Sequence, residues 1–486
     1  MVDKTFRYEE VIQKIEKSMS NLGLKAGDRL PSVRKLSAEL SVSINTVFQA
    51  YAILEARGII FSKPKSGYYI HTTTAHKLSN PIDENYIPLP STVEVSSMAT
   101  AMMKNALEYG IINFSILAPI NELLPITKLN KAVQASLKEH SNESYQYPLV
   151  EGHPRLLKQI VRRTLNWNQH ISQDKILVTN GCMEAINLCL DSLTKPGDII
   201  AVESPTYHGI LQSLEARGLK ALEIATDSIT GLVLADLTRA LDTNMVTACI
   251  FMPACHHPLG AMMPEDNKIK LVQLLAERGI PLIEDDSLGE LYFSAQRPLP
   301  AKAYDTTDNV LYCSSFSKSL APGFRVGWVS AGKYHAQLLK LKFGSNIATT
   351  GLLQDAIGRY LETGQYESHL KKMRHAMQSQ IIRYAAAIDQ YFPENTRIST
   401  PNGGLSLWIE LPEEVDALQL QRNAITAGIG ICPGHIFSTL TIYHHYIRIN
   451  CCPLWNIKIE NSIQTLGRLS QKMIDSNKQR INTVKK

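Results

Sequence analysis

A lysine that follows Ser-Ser-Phe-Ser, with an arginine seven residues further on, offers two kinds of chemistry in one short string, LYCSSFSKSLAPGFRVGW. An amine such as that of Lys318, in a partly desolvated site, condenses with an aldehyde to a Schiff base. Ser315, Ser317 and Arg325 would gather around one phosphate, the hydroxyls donating and the guanidinium pairing through two N–H groups. In PLIEDDSLGELYF, Asp285 ends an apolar run, where a carboxylate could pair with a protonated pyridine nitrogen and make a bound cofactor an electron sink. TNGCMEAINLCL passes from strand to helix through Gly181, so the backbone N–H groups of Cys182 and Met183 could cap a phosphate. VESPTYHG offers the Tyr207 ring for stacking on a pyridine. Taken singly, each has a plainer reading: a surface lysine, an acidic helix cap, a rim tyrosine. Arg448, in YHHYIRIN, reads alone as a structural ion-pair arginine.

The elements that must position these groups are short apolar runs (KILVTNG, DIIAVES, ACIFMPA, IPLIEDD, NVLYCSS) alternating with amphipathic helical stretches. That alternation predicts an α/β architecture with a largely parallel sheet, covered on both faces, whose ligands sit at the carboxyl ends of the strands. The 486 residues, 44% hydrophobic and 20% charged, suffice for several domains. Three regions are expected: residues 1–72, a small helical module with a hairpin; 73–105, a linker rich in Thr, Ser, Asn and Pro; and 106–480, divided at about 345 into a large subdomain and a smaller C-terminal one. No apolar stretch approaches the roughly 18 residues of a membrane span, and the N-terminus lacks the apolar core of a signal peptide, so no membrane association and a cytoplasmic location are expected. All eight cysteines follow residue 181 without metal-ligand spacing, and they read as buried thiols rather than disulfides or metal ligands.

Charge is unevenly placed. Residues 1–75 hold eleven Lys/Arg against seven Asp/Glu, so +4 of the net +5 lies there, as a phosphate-binding module would have it. Val11, Ile12, Ile15, Met19 and Leu22 make one helical stripe. A second helix is expected over about Ser32–Leu40, and a third, INTVFQAYAILEARG, capped by Ser43 and ended by Gly58. IIFSKPKSGYYIH reads as a two-stranded wing. Two helices about a tight turn form a helix-turn-helix, whose third helix would present Ile44, Asn45, Thr46 and Gln49 to the major groove of double-stranded DNA. Arg34 would contact a phosphate or a guanine.

LPSVRKLSAEL resembles the GntR-type winged helix-turn-helix, and the resemblance implies DNA contacts from Arg34, Ser43, Asn45, Thr46 and Gly67. The Lys318 string resembles the aldimine-lysine motif of fold type I pyridoxal 5′-phosphate enzymes. In order, winged helix, linker and aminotransferase-like domain resemble the MocR subfamily of GntR regulators. That resemblance implies pyridoxal 5′-phosphate as cofactor on Lys318, Arg448 as the clamp for an α-carboxylate, and a homodimer in which Tyr147 reaches the neighbouring subunit's phosphate. The chain departs from the enzymes at two places. His257-Pro258-Leu259-Gly260 stands where they have Asn-Pro-x-Gly to bind the cofactor's 3′ oxygen, and Ser287 and Leu288 stand where they place a tyrosine. Two functions follow: a transcription regulator that senses pyridoxal phosphate or an amino compound, or an aminotransferase with an ancillary DNA-binding domain.

Overall fold

A computed structural model describes residues 8, 10–15, 28–56, 60–63, 66–70, 78–81, 86–106, 110–142 and 145–484. In the N-terminal module, α1 covers 10–15, and Val11, Ile12 and Ile15 are buried; Met19 and Leu22 lie outside the described residues. Helix α2 (Val33–Leu40) begins where the Ser32 side chain accepts from the Lys35 amide and stops at Ser41 in the left-handed conformation, φ 52°. Helix α3 (Ile44–Ala56) starts as the sequence predicts: the Ser43 hydroxyl accepts from the Thr46 amide at 3.1 Å and lies 2.8 Å from the Thr46 hydroxyl. Strands β1 (Ile60–Lys63) and β2 (Gly67–Ile70) pair antiparallel as the wing. Val47, Ala50, Tyr51 and Leu54 turn one face of α3 into the module's core, where the Tyr51 hydroxyl donates to the Pro31 carbonyl at 2.6 Å.

The stretch read as a free linker is largely docked. The Ser79 carbonyl accepts from the Ile398 amide, the Thr400 hydroxyl pairs with Asn80, and Pro81 is buried. Strand β3 (Ser91–Thr92) adds antiparallel to the main sheet, and α4 (Ser96–Ala106) follows with Ala99 and Met102 buried. One carboxylate oxygen of Glu215 accepts from the Val95 and Ser96 amides at 2.7 and 2.8 Å, satisfying donors that a helix start leaves open. Docking here combines a few apolar side chains, Val93, Val95 and Met102, with backbone groups and polar side chains, too sparse a set to read as one apolar stripe.

After β4 (Ile112–Asn113), α5 (Ile126–Glu139) and α6 (Pro154–Arg163), strands and helices alternate: β5 (Ile176–Thr179), α7 (Cys182–Leu193), β6 (Ile199–Ser204), α8 (His208–Glu215), β7 (Lys220–Asp227), β8 (Gly231–Leu232), α9 (Leu234–Thr243), β9 (Val246–Phe251), α10 (Glu265–Glu277), β10 (Leu282–Asp285), β11 (Val310–Ser315) and β12 (Gly327–Ser330). Among the described residues the sheet runs β3-β7-β6-β9-β10-β11-β12-β5, with β8 on β7. The pairs from β7 through β11 are parallel and β12 is antiparallel to both neighbours. Residues in β5, β10 and β11 are buried throughout, because helices cover both faces.

Helix α11 (His335–Asn346) precedes α12 (Gly351–Glu362), which packs on α5 and α6 and so belongs to the large core. The long α13 (Gln365–Tyr391), which α3 of the N-terminal module approaches, leads to the C-terminal sheet of β13 (Arg397–Ile398), β14 (Ser406–Glu410), β17 (Tyr446–Asn450) and β16 (Cys432–Pro433). Strand β15 (Ile429–Gly430) pairs parallel with β4, so residues 112–113 join the C-terminal subdomain although they lie far before the boundary expected at about 345. No helix among the described residues is long and apolar enough to cross a membrane.

One carboxylate joins the two subdomains. Glu223 on β7, buried, accepts from the hydroxyls of Ser204 and Ser438 and from the amide and hydroxyl of Thr439, all between 2.5 and 2.7 Å. The Thr439 hydroxyl also meets that of Ser91 on β3 at 2.6 Å. Glu223→Ala removes the acceptor of four donors, two on the buried Ser204 and Ser438 and two on the half-buried Thr439. It should destabilise the large domain by roughly 2–4 kcal/mol in urea unfolding, whereas a change below about 0.5 kcal/mol would show that the carboxylate bears little of the junction.

Candidate functional site

The carboxyl ends of β10 and β11 carry Asp285 and the Ser315–Lys318 string, side by side because the two strands pair in parallel register. Lys318 follows at the start of the turn, half-buried, and its Nζ donates to the Leu117 carbonyl. Desolvation first, and then the charge of Arg448, brings its pKa down to about 8.

Arg325 holds a left-handed conformation, φ 54°, that aims its guanidinium back across the strand ends. Nη1 donates to the Ser317 hydroxyl at 3.0 Å and Nη2 to the Asn180 carbonyl at 3.2 Å. Gly181, φ 82°, precedes α7, and a Cβ there would stand 2.4 Å from Nη2 of Arg325. A Cβ on Gly327 would fall 2.8 Å from the Cys182 amide. The two glycines thus let the helix N-terminus, with the amides of Cys182 and Met183, approach Ser317 and Arg325, while the Ser315 hydroxyl accepts from the Ser317 amide at 3.4 Å. This cup suits a phosphate group.

Asp285 is buried and accepts from the Ser287 amide at 2.9 Å and from the Cys182 thiol at 3.4 Å. Burial pushes its carboxyl up. Tyr207 lies between the rings of His208 and His257, at 4.7 and 5.6 Å. His257 is buried against Phe437 at 5.7 Å, and burial followed by Arg448 keeps its imidazole neutral. Among the described residues its Nε2 has no hydrogen-bond partner, a buried polar atom that could accept or donate to a bound group. His256 supports that turn from behind, its Nε2 3.6 Å from the buried Glu203 carboxylate. Leu288 packs in the apolar core with Met252, Cys255 and Leu291 and presents no hydroxyl.

Arg448 lies mid-strand in β17, 1% exposed, its guanidinium donating to the Ser115 carbonyl and lying 5.9 Å from the Phe437 ring. The sequence alone suggests an ion pair, yet among the described residues no carboxylate comes within ion-pair distance of Arg448. Tyr147 is not gathered here: it stands 85% exposed at a separate cleft lined by Ser136, His153 and Asp355. In the N-terminal module Arg34, Ser43 and Gln49 are exposed and Thr46 partly so, while the side chain of Asn45 lies outside what is described. Gly67, φ 112°, sits on the wing with Nε and Nη2 of Arg29 3.5 Å from where its Cβ would be.

The sequence reading missed Arg29, His208, Phe437, the Leu117 and Asn180 carbonyls and the Cys182 thiol. His208 adjoins Tyr207 and could have been flagged; burial, with Arg448, holds it near 4. The others are backbone groups or distant side chains that carry no local signal.

Residues 112–466 match the family described as aminotransferase class I and II, and residues 7–70 match the bacterial regulatory proteins of the gntR family. The chain is 36% identical over 470 residues to the uncharacterized HTH-type transcriptional regulator YdcR of Escherichia coli, covering 96% of this chain and all of that one. It is 35% identical to YjiR of the same organism, over 92% of this chain and 94% of the relative. The structure of LysN, an α-aminoadipate aminotransferase from Thermus thermophilus complexed with N-(5′-phosphopyridoxyl)-L-leucine, superposes with a TM-score of 0.72 at 25% identity, over 77% of this chain and 95% of that one.

Gly181→Ala should force Arg325 away from the Asn180 carbonyl and cost about 1–3 kcal/mol through the clash and the positive φ together. An unchanged thermal melting curve would show that the cup tolerates a side chain there.

Proposed function

Because the chain belongs to the class I and II aminotransferase family and carries a gntR-family DNA-binding domain ahead of it, we propose that this GntR-type regulator controls transcription by binding pyridoxal 5′-phosphate on Lys318 and sensing that cofactor or an amino compound. The observation that carries this reading is the half-buried Lys318 amine, its pKa brought down to about 8, beside a phosphate cup and in one polypeptide with a helix-turn-helix.

The residues present fit the cofactor. Ser315, Ser317, Arg325 and the amides of Cys182 and Met183 would hold its phosphate, and Asp285 its pyridine nitrogen. Tyr207 would lie against the ring, and the unpartnered Nε2 of His257 would meet the 3′ oxygen. When bound, pyridoxal phosphate supplies an aldehyde that condenses reversibly with amines and a ring that absorbs visible light. Lys318 offers the amine. Arg448, a buried cation with its guanidinium on backbone carbonyls, would orient an incoming amino compound by its carboxylate. Leu288 in place of a phenol and His257 in place of an amide favour sensing over turnover, because they alter the partners of the 3′ oxygen while leaving the phosphate cup intact. The aminotransferase reading is supported by the retention of Lys318, Asp285 and Arg448 in one site.

We divide the chain into 1–72, 73–105 and 106–480, with docking of the middle segment as described, and take the working unit to be a homodimer. Tyr145, Tyr147, Leu149 and Phe343 are exposed apolar side chains, which a second copy would cover. Arg34, Ser43, Asn45, Thr46, Gln49 and Gly67 would face DNA.

The test is the absorbance spectrum of the chain with pyridoxal phosphate, before and after a panel of amino acids. A visible band that shifts with one amino compound without keto-acid release supports the sensor; steady keto-acid release makes the chain an enzyme. Lys318→Ala should lose the band. In the wild type the band should form faster as pH rises through about 8, where the amine sheds its proton, with the rate falling about tenfold per pH unit below that and flat above. Arg34→Ala should weaken promoter binding by roughly 1–3 kcal/mol in a gel-shift titration at fixed salt, and equal affinity would remove Arg34 from the interface.

A further inference from the structure

The DNA-reading helix carries an apolar pair that its family assignment leaves unexplained. Ile44 and Phe48 are 52% and 56% exposed, and no other large apolar side chain described between residues 8 and 70 is exposed to that degree. They are four residues apart, so they lie one above the other on one face of α3. The adjoining face, about a quarter turn round the helix, with Val47, Ala50, Tyr51 and Leu54, is the one buried in the module's core, so the pair stands at the edge of that core face and projects from it. Among the described residues nothing buries the pair, although α3 approaches α13.

The polar groups at this end of α3 are partly engaged. The Thr46 hydroxyl is tied to that of Ser43 at 2.8 Å, and the Ser43 hydroxyl caps the helix. Gln49 remains exposed beside Phe48, and exposed Arg34 and Arg29 supply positive charge in the same module. A helix that presents an isoleucine, a phenylalanine and a glutamine, in a module with exposed arginines, has the chemistry of a major-groove reader whose apolar contacts go to the feature of the groove that is itself apolar, the C5-methyl group of thymine.

We infer that Ile44 and Phe48 read thymine methyl groups in the major groove, so that the operator of this protein carries thymines where those side chains land. This rests on the DNA-binding reading above and adds to it which base is selected and by which atoms. Arg34 and the wing would fix the register on the phosphates, and the apolar pair would supply part of the sequence preference.

The full chain is used to select duplexes from a random-sequence pool, and each thymine of the bound consensus is then replaced singly by uracil, which removes only the methyl group. The expected result is a loss of about fourfold in affinity at one or more positions, the worth of one buried methyl-sized group. Phe48→Ala and Ile44→Ala, both solvent-facing changes whose melting temperatures should match the wild type, should each bind the thymine and uracil duplexes alike at its own position. If duplexes are selected but the wild type binds thymine and uracil forms equally at every position, the inference is overturned and the pair belongs to another partner, such as a protein. If no duplex is selected at all, the DNA-binding reading itself fails.

Discussion

Two cationic side chains, half-buried Lys318 and fully buried Arg448, share one site, among the described residues no carboxylate comes within ion-pair distance of either, and much of the surrounding structure answers to that arrangement. Removing a cation from water is costly unless hydrogen bonds or opposite charge replace its hydration. Here backbone carbonyls take that part: Leu117 for the lysine, Ser115 for the arginine. Those carbonyls belong to the segment after β4, which is held in place by pairing with β15 and by the Asn450 amide on the Phe114 carbonyl. The subdomain crossover near residue 112 is therefore part of the site. Desolvation first, and then the charge of Arg448, lowers the pKa of the lysine.

From this centre a continuous set of contacts leads outward. Phe437 touches the rings of His257 and His208 and has its carbonyl on the Thr206 amide; the next two residues, Ser438 and Thr439, are held by Glu223. Thr439 in turn meets Ser91 on the strand that follows the DNA-binding module. A change in how Arg448 and His257 are occupied would act on Phe437 first, and the next elements along are those that anchor the connecting segment.

How much could be read from the amino acids depended on how local the chemistry is. Lys318, Ser317 and Arg325 share one turn, and the helix start at Ser43 is a cap completed within three residues, so strings of sequence describe them. The parallel sheet was legible because strands buried on both faces are written as unbroken apolar runs. Arg448 was legible only through a resemblance, since a lone arginine on a strand says nothing about which carbonyls it will meet. The thiol of Cys182 reaches Asp285 across 103 positions, and the carbonyls that hold the cations have no side-chain signature at all. Residues 86–106 looked structureless because the apolar side chains that dock them, Val93, Val95, Ala99 and Met102, are few, and the rest of the attachment is made by hydroxyls, backbone amides and one distant carboxylate.

That attachment shortens the leash on the DNA-binding module. Between Ile70 at the end of the wing and Leu78, which packs on the C-terminal core, only residues 71–77 intervene, where the composition had suggested some thirty. Fully drawn out, such a span covers roughly 27 Å. The module is therefore tied to the large domain within eight residues of the wing, so its reach is fixed by where Leu78 docks and not by a tether of thirty residues.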